Sequence, residues 1–457
     1  MLLSRVAGVF DQDFWKIDLL QATRQYPAIW HAGLALAAMH RTMTSIPDLA
    51  RRTRPNYYYL LALQHYNLSI KYLLRIAHQE QHTNADQETL LMASLLFMGL
   101  CCVQGDTRQT IIHAQNTLAL FYHWRFWKHL EEPRHIGQQA CVLRGSSLVT
   151  LITYVEGQFM HKLPYIQSPA WRGGLNPQKC SPKPFLSTTE AWSELVPLMN
   201  GMRDSWPLFE APASIAQPHV DMYLAYRLEI CNWISKYRSF YQQREPVYEQ
   251  SDWESLVILR LYQLCLEIHT NVNTSESALM FDKHLAKFKH ILVLLRELFE
   301  QKLSRDREGP REDLSPSFSF ALSAGEILAC IGKNCRDGAM RREATALLRC
   351  WRMKDGIWDG ALSASITETV IRVEESGIED RQLSVASDDD DYDDDDDDDG
   401  DDGDDDCKCI RNGFICADHR VLYHWIEFSE DGTAICYILT VRDVRQGKPA
   451  RLARISY

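Results

Sequence analysis

From Phe14 to about residue 375, apolar side chains recur every three or four positions, the spacing of helices with one buried stripe. The pattern is densest between Asp86 and Trp127. There Leu91, Leu95, Met98 and Cys102 fall on one face, and Met92, Leu96, Gly99 and Val103 fall on the next, so this helix is apolar nearly all round. Such a helix belongs inside a core. Gln104-Gly105-Asp106-Thr107 then offers a glycine for a left-handed helix stop and an aspartate to cap the next helix, with Gln109 three residues on. Ile111, Ala114, Leu118 and Phe121 give the return helix its stripe. The uncharged window Thr89 to Gly105 is shorter than the roughly 20 residues that a bilayer-spanning helix needs, so a buried helical hairpin is expected rather than a membrane span.

Around this pair the pattern predicts helix after helix. A short one opens at Asp13-Phe14-Trp15. A second follows Pro27, with Ile29, Ala32, Leu36, Met39 and Met43 in line. A third starts near Pro55 and carries Tyr59, Ala62, Leu63, Tyr66, Ile70, Leu73, Leu74 and Ala77. Another is expected around Ala140 to Met160. A passage holding Pro164, Pro169, Pro177, Pro182, Pro184, Pro197, Pro207 and Pro212 reads as loop with brief helices. Helices at about 218 to 242, 252 to 270 and 276 to 306 come next, and three more after a polar break at Asp306 to Pro316. The texture changes near the end. Val421 to Phe428 and Thr433 to Leu439 are rich in β-branched and aromatic residues, and Asp431-Gly432 between them favours a hairpin turn. The expected fold is therefore all-α: a multi-helix array of antiparallel helix pairs, with an acidic linker and a short C-terminal β-hairpin. The expected divisions are 1–380 for the helical domain, 381–410 for a disordered Asp-rich linker, and 411–457 for the hairpin tail.

Composition alters this picture in two places. The 457-residue chain carries a net charge of −12, but Asp388 to Asp406 contains sixteen aspartates, and without them the remainder is +4. A nearly neutral body lacks the basic surface of a direct phosphate binder. The aspartate run has nothing to bury and its charges repel, so it is read as a solvated tether; contact with basic partners or a part in transcriptional activation are the alternatives. The thirteen cysteines are dispersed, and Cys101, Cys102, Cys231, Cys265 and Cys330 sit within apolar helical patterns, as buried reduced thiols do. The N-terminal stretch does not have the form of a signal peptide, and the glycosylation patterns at Asn67 and Asn273 read as chance matches.

Candidate chemistry is sparse. No Gly-rich phosphate loop, dinucleotide fingerprint, His-Glu-x-x-His helix or nucleophile elbow is found, so no catalytic residue, cofactor or metal ligand is assigned and no enzyme activity is expected. His31, His40, His65 and His113 lie on or beside helical stripes and read as structural. Cys407-Lys408-Cys409 with Cys416 could gather a metal ion only with a further ligand from Cys436, His419 or His424; three thiols beside a tether is the plainer reading. Arg51-Arg52-Thr53-Arg54 reads as a basic helix lead-in, with a nuclear import patch as the alternative.

Several blocks together resemble a known family. Asp13-Phe14-Trp15, Pro27-Ala28-Ile29-Trp30-His31-Ala32 and Leu36-Ala37-Ala38-Met39-His40 look like the first block of the regulatory domain of fungal C6, binuclear-zinc-cluster, transcription factors. Ala62-Leu63-Gln64-His65-Tyr66-Asn67 with Ile70 looks like the second, and Leu95-Leu96-Phe97 through Gln104-Gly105 to His113-Ala114 like the third. Cys335-Arg336-Asp337, Arg341-Arg342-Glu343-Ala344, Leu347-Leu348 and Asp355-Gly356-Ile357-Trp358-Asp359 are similar to the last helical block, and the hairpin to the C-terminal tail. The resemblance implies a nuclear, transcription-factor-like regulatory protein. It would contact the transcriptional machinery, partner transcription factors, a small-molecule effector or a second copy of itself, without a membrane. Family members normally carry six cysteines that hold two zinc ions and dock a helix on DNA, upstream of the helical domain. No such cluster lies within these residues, so direct DNA binding is not expected of this chain. A helical scaffold without a transcriptional role is the alternative.

Overall fold

The computed structural model describes residues 8–45, 57–127, 145–159, 179–204, 213–244, 253–272, 279–308, 318–320, 323–351, 354–384, 415–429 and 432–456. After a wide turn at Phe14–Asp18 the helices run α1 Leu19–Gln25, α2 Pro27–Ser45, α3 Tyr57–Ala77, α4 Asn84–Gln104, α5 Thr107–His123 and α6 Gly145–Phe159. They continue as α7 Thr188–Asp204, α8 Ala213–Arg244, α9 Trp253–His269, α10 Leu285–Glu308, α11 Ala324–Asn334, α12 Gly338–Cys350 and α13 Gly360–Ser384. Two short strands, β1 (Phe318–Ser319) and β2 (Lys354–Asp355), pair in parallel beside α11 and α12. The C-terminal part holds β3 (Val421–Phe428), β4 (Thr433–Thr440), a one-turn helix α14 (Val441–Arg445) and β5 (Arg451–Ser456). The fold is thus helical with a small antiparallel sheet at its end.

The central hairpin forms as its residues dictate. Thr83 and Asp86 cap α4 reciprocally, and Gly105 stops it at φ +83. Asp106 caps α5, its carboxylate accepting from the Gln109 N–H at 3.0 Å. Ser94 and Thr117 join the two helices at 2.6 Å. Among the described residues α4 is the one helix long and apolar enough to cross a membrane, yet 72% of that window is buried within the protein. Its Gly99 lets Leu36, Phe318 and Phe320 approach closely, the first from α2 and the others from the β1 segment. This hairpin is core.

The Pro-rich passage departs from expectation. Instead of loop with brief helices, residues 188–204 form the 17-residue α7, with Pro197 inside it. Proline removes one backbone hydrogen bond of the helix, but Trp192, Leu195, Val196 and Met199 around it are all buried. Burial of that stripe outweighs the loss. Trp192 stacks on Phe10 at 4.4 Å, tying the N-terminal segment to α7. Pro164, Pro169, Pro177, Pro207 and Pro212 lie outside the described residues.

At the C-terminal end β3 and β4 form the expected hairpin, with Gly432 at φ +77 in its turn. The sheet gains β5 as a third strand, antiparallel to β4, in the order β3-β4-β5. Arg451-Leu452-Ala453-Arg454 gives little alternation of buried and solvated residues, which is why the strand escaped notice in the sequence. The sheet is fastened to the helices by Glu374 of α13, whose side chain is fully buried. Its carboxylate accepts from Arg341 at 2.5 Å, from Arg420 at 2.9 Å and from the Val421 N–H at 2.9 Å. Arg420 also donates to the Lys333 and Asn334 carbonyls at the end of α11. The aspartate run, Arg51 to Arg54, Cys407 and Cys409 lie outside the described residues.

Candidate functional site

Where α7, α9, α11 and α13 meet the face of β3, they leave a cavity of about 540 Å³. Much of its wall is apolar: Met199 and Met202 from α7, Leu266 from α9, Ile327 from α11, and Trp351 and Trp358 beside β2. Helical stripes put these residues there for the ordinary reason, burial. The polar groups in the same wall have no such reason. Arg203 of α7 pairs with Glu326 of α11, and Tyr262 donates to the same carboxylate at 3.3 Å and to the Ser323 carbonyl at 3.1 Å. Ser323, which caps α11, donates to Asp355. Lys333 Nζ lies 3.3 Å from His424 Nε2 of β3. The second guanidinium nitrogen of Arg203, Nη1, is buried without a protein partner.

Burial shapes the electrostatics of this wall. It lowers the Lys333 pKa below the lysine range, although Cys330 and Glu326 pull the other way. It raises the Tyr262 hydroxyl well above the usual phenol, with Glu326 adding to the effect. A desolvated lysine, with the buried Nη1 of a half-buried Arg203 in the same wall, makes a pocket suited to one negative charge set in apolar surroundings.

Three further residues converge on the same wall. Cys265 and His269 sit one turn apart on α9, and Cys330 faces them from α11. The two sulfurs are 3.7 Å apart, and His269 Nε2 is 3.7 Å from the Cys330 sulfur. Asn334 donates to Cys330 at 3.2 Å. The sequence placed Cys265 and Cys330 in apolar helices as core thiols, and His269 drew no notice. The one legible signal was the Cys-x-x-x-His spacing, which sets both side chains on one helical face. Nothing in the sequence linked Cys330 to them, because the contact is made by packing of α9 against α11.

The histidines singled out from the sequence lie elsewhere. His31 and His65 face each other across α2 and α3 with their Nδ1 atoms 2.8 Å apart, and His31 also stacks on Tyr72. Burial, with His65 beside it, lowers the His31 pKa. His113 meets the ring of Phe97 edge-on, and His40 is buried in α2. Among the described residues near the C-terminus, Cys416 lies 3.7 Å from His419, while Cys436 is buried in β4 and His424 turns to Lys333. Ser69, of the glycosylation-like pattern, is buried and donates to the Ala28 carbonyl.

One comparison with known proteins bears on this arrangement. Residues 4–130 match the model of the fungal specific transcription factor domain family. No curated protein and no solved structure matches the chain. The matched segment holds the first two blocks of the resemblance and the central hairpin, and it supports a transcription-factor-like regulatory role. The family is one of transcription factor domains rather than of enzymes. The cavity walls come from residues beyond the match, from Gln158 onward. The blocks at 335–359 and the C-terminal hairpin also lie outside it.

Proposed function

We propose that this protein is a nuclear, transcription-factor-like regulator of the fungal C6 type whose helical region acts through protein or effector contacts. The observation that carries the reading is the family match over residues 4–130, which includes the buried hairpin α4–α5. The cavity supports the effector half. Its volume of about 540 Å³ falls within the range of small-molecule sites, and its walls are apolar with a few charged groups. The ligand that fits such walls has an apolar body and one acidic group, directed to Lys333 and Arg203. The partners expected of such a regulator are the transcriptional machinery or another transcription factor, with a second copy of the chain as a further candidate.

A tagged full chain, recovered from its native cells, tests this reading. The expected result is co-purification of a transcription factor or coactivator, together with no sequence-specific retention of DNA by the recombinant chain alone. Recovery of neither kind of partner, with the tagged protein confined to the cytoplasm, would favour a scaffold without a transcriptional role.

A further inference from the structure

We infer that Cys265, His269 and Cys330 form a zinc site in the cavity wall, with two sulfurs and one imidazole nitrogen as ligands and a fourth position facing the cavity. The ligand atoms of the three residues all lie within 4.8 Å of one another. Zinc bonds of about 2.3 Å to sulfur and about 2.0 Å to nitrogen, set at tetrahedral angles, place two sulfurs about 3.8 Å apart and sulfur and nitrogen about 3.5 Å apart. The separations here are 3.7 Å between the sulfurs and 3.7 Å from His269 Nε2 to the Cys330 sulfur. Two edges of the coordination shell already have the right length, and Cys265 lies 3.7 Å from Nδ1 of the same ring, so a small turn of the imidazole closes the third.

The surroundings complete the case. His269 Nδ1 lies 2.9 Å from the Cys265 carbonyl one turn back, and since a carbonyl only accepts, Nδ1 carries the proton there. That hydrogen bond fixes the ring and leaves Nε2 as the ligand atom, the arrangement usual for metal-bound histidine. Asn334 donates to the Cys330 sulfur, which suits a thiolate. Metal binding takes both cysteines as thiolates, their protons leaving to solvent, and the dication then neutralises the two charges. Two thiolates with an imidazole select zinc over magnesium or calcium, which prefer oxygen ligands. The site stands whether or not the cavity also takes an acidic effector.

The test uses the full chain, kept reduced and freed of metal with a chelator, then titrated with zinc. A Cys407→Ser, Cys409→Ser, Cys416→Ser background removes the closely spaced thiols near the C-terminus, and the adjacent Cys101 and Cys102 are both buried. One zinc per chain is expected in that background, and adding Cys265→Ser with Cys330→Ser should weaken binding by roughly a hundredfold or more. No zinc uptake, or uptake unchanged by the added pair, would overturn the proposal. A second measurement needs no variant: alkylation of the wild-type chain, mapped peptide by peptide, with and without zinc. Zinc should slow modification of Cys265 and Cys330 at least about tenfold while leaving the exposed Cys231 and Cys350 unchanged. Equal rates at Cys265 and Cys330 with and without zinc would sink the assignment.

Discussion

Replacing Glu374 with alanine is expected to be among the most damaging single changes in the chain. The carboxylate is fully buried, with one guanidinium also fully buried and the other 4% exposed on its side chain. Glu374→Ala leaves the charges of Arg341 and Arg420 facing each other in the interior and deprives the Val421 N–H of its acceptor. Breaking a buried ion pair from one side costs about 3–5 kcal/mol, and an orphaned buried donor adds to that without simple summation. A loss of about 4 kcal/mol is the working figure. The neighbouring residue supplies the control, because Glu375 pairs at 3.2 Å with an Arg342 whose side chain is 65% exposed. Glu375→Ala should cost less than about 1 kcal/mol. Urea unfolding followed by circular dichroism reads both, as a fall in midpoint at constant slope. Replacing Arg341 and Arg420 with methionine alongside Glu374→Leu should recover much of the loss, since no charge then remains unpaired. If Glu374→Ala and Glu375→Ala cost the same, the buried hub does not join the sheet to the helices as described.

Other outcomes follow from single sites. Gly105→Val should lower stability by about 1 kcal/mol or more in a thermal melt, from backbone strain at φ +83 alone, because an added Cβ meets nothing within 4 Å. Asp106→Ala should cost about 1 kcal/mol by removing the cap of α5, and Asp106→Asn should restore most of it. Burial raises Asp11 from 3.8 to about 6, against the hydrogen bond from Trp15. The folded state therefore holds a proton that the unfolded chain has lost between pH 4 and 6, so this group's contribution falls as pH rises through that window and stays lost above it. Asp11→Asn should abolish a difference of about 2 kcal/mol between pH 4 and pH 7, seen by subtracting the two stability curves. Lys333→Met should weaken binding of apolar carboxylic acids roughly tenfold or more in a thermal-shift series, while neutral analogues of the same shape bind equally to both forms.

The helical architecture was legible because period and caps agreed. The Gly105 stop and the Asp106 cap could be read from four residues, and the stripes of α2 and α4 named their own buried faces; in α3 only Ala62 of the expected stripe is buried, and Leu63 and Leu74 are exposed. Where expectation and structure parted, packing decided. Pro197 signals a break in isolation, yet it sits in a helix held by Trp192 and Met199. The strand β5 carries no alternation of its own and pairs because β4 offers an open edge. The cavity and its cluster were less visible still. Cys265 and Cys330 read as core thiols because their helices are apolar, and only the packing of α9 on α11 turns two core cysteines and a histidine into a set of ligands. Arg203, Glu326 and Lys333 lie on three turns of two helices, with no local pattern to connect them.

The regulatory role is tested most directly by fusing the full chain to a heterologous DNA-binding domain and measuring transcription from a reporter that carries its sites. The account predicts a clear change in reporter output, up or down, that is lost when the helical core is disrupted by Glu374→Ala. A well-expressed nuclear fusion that leaves the reporter at the level of the DNA-binding domain alone would contradict it.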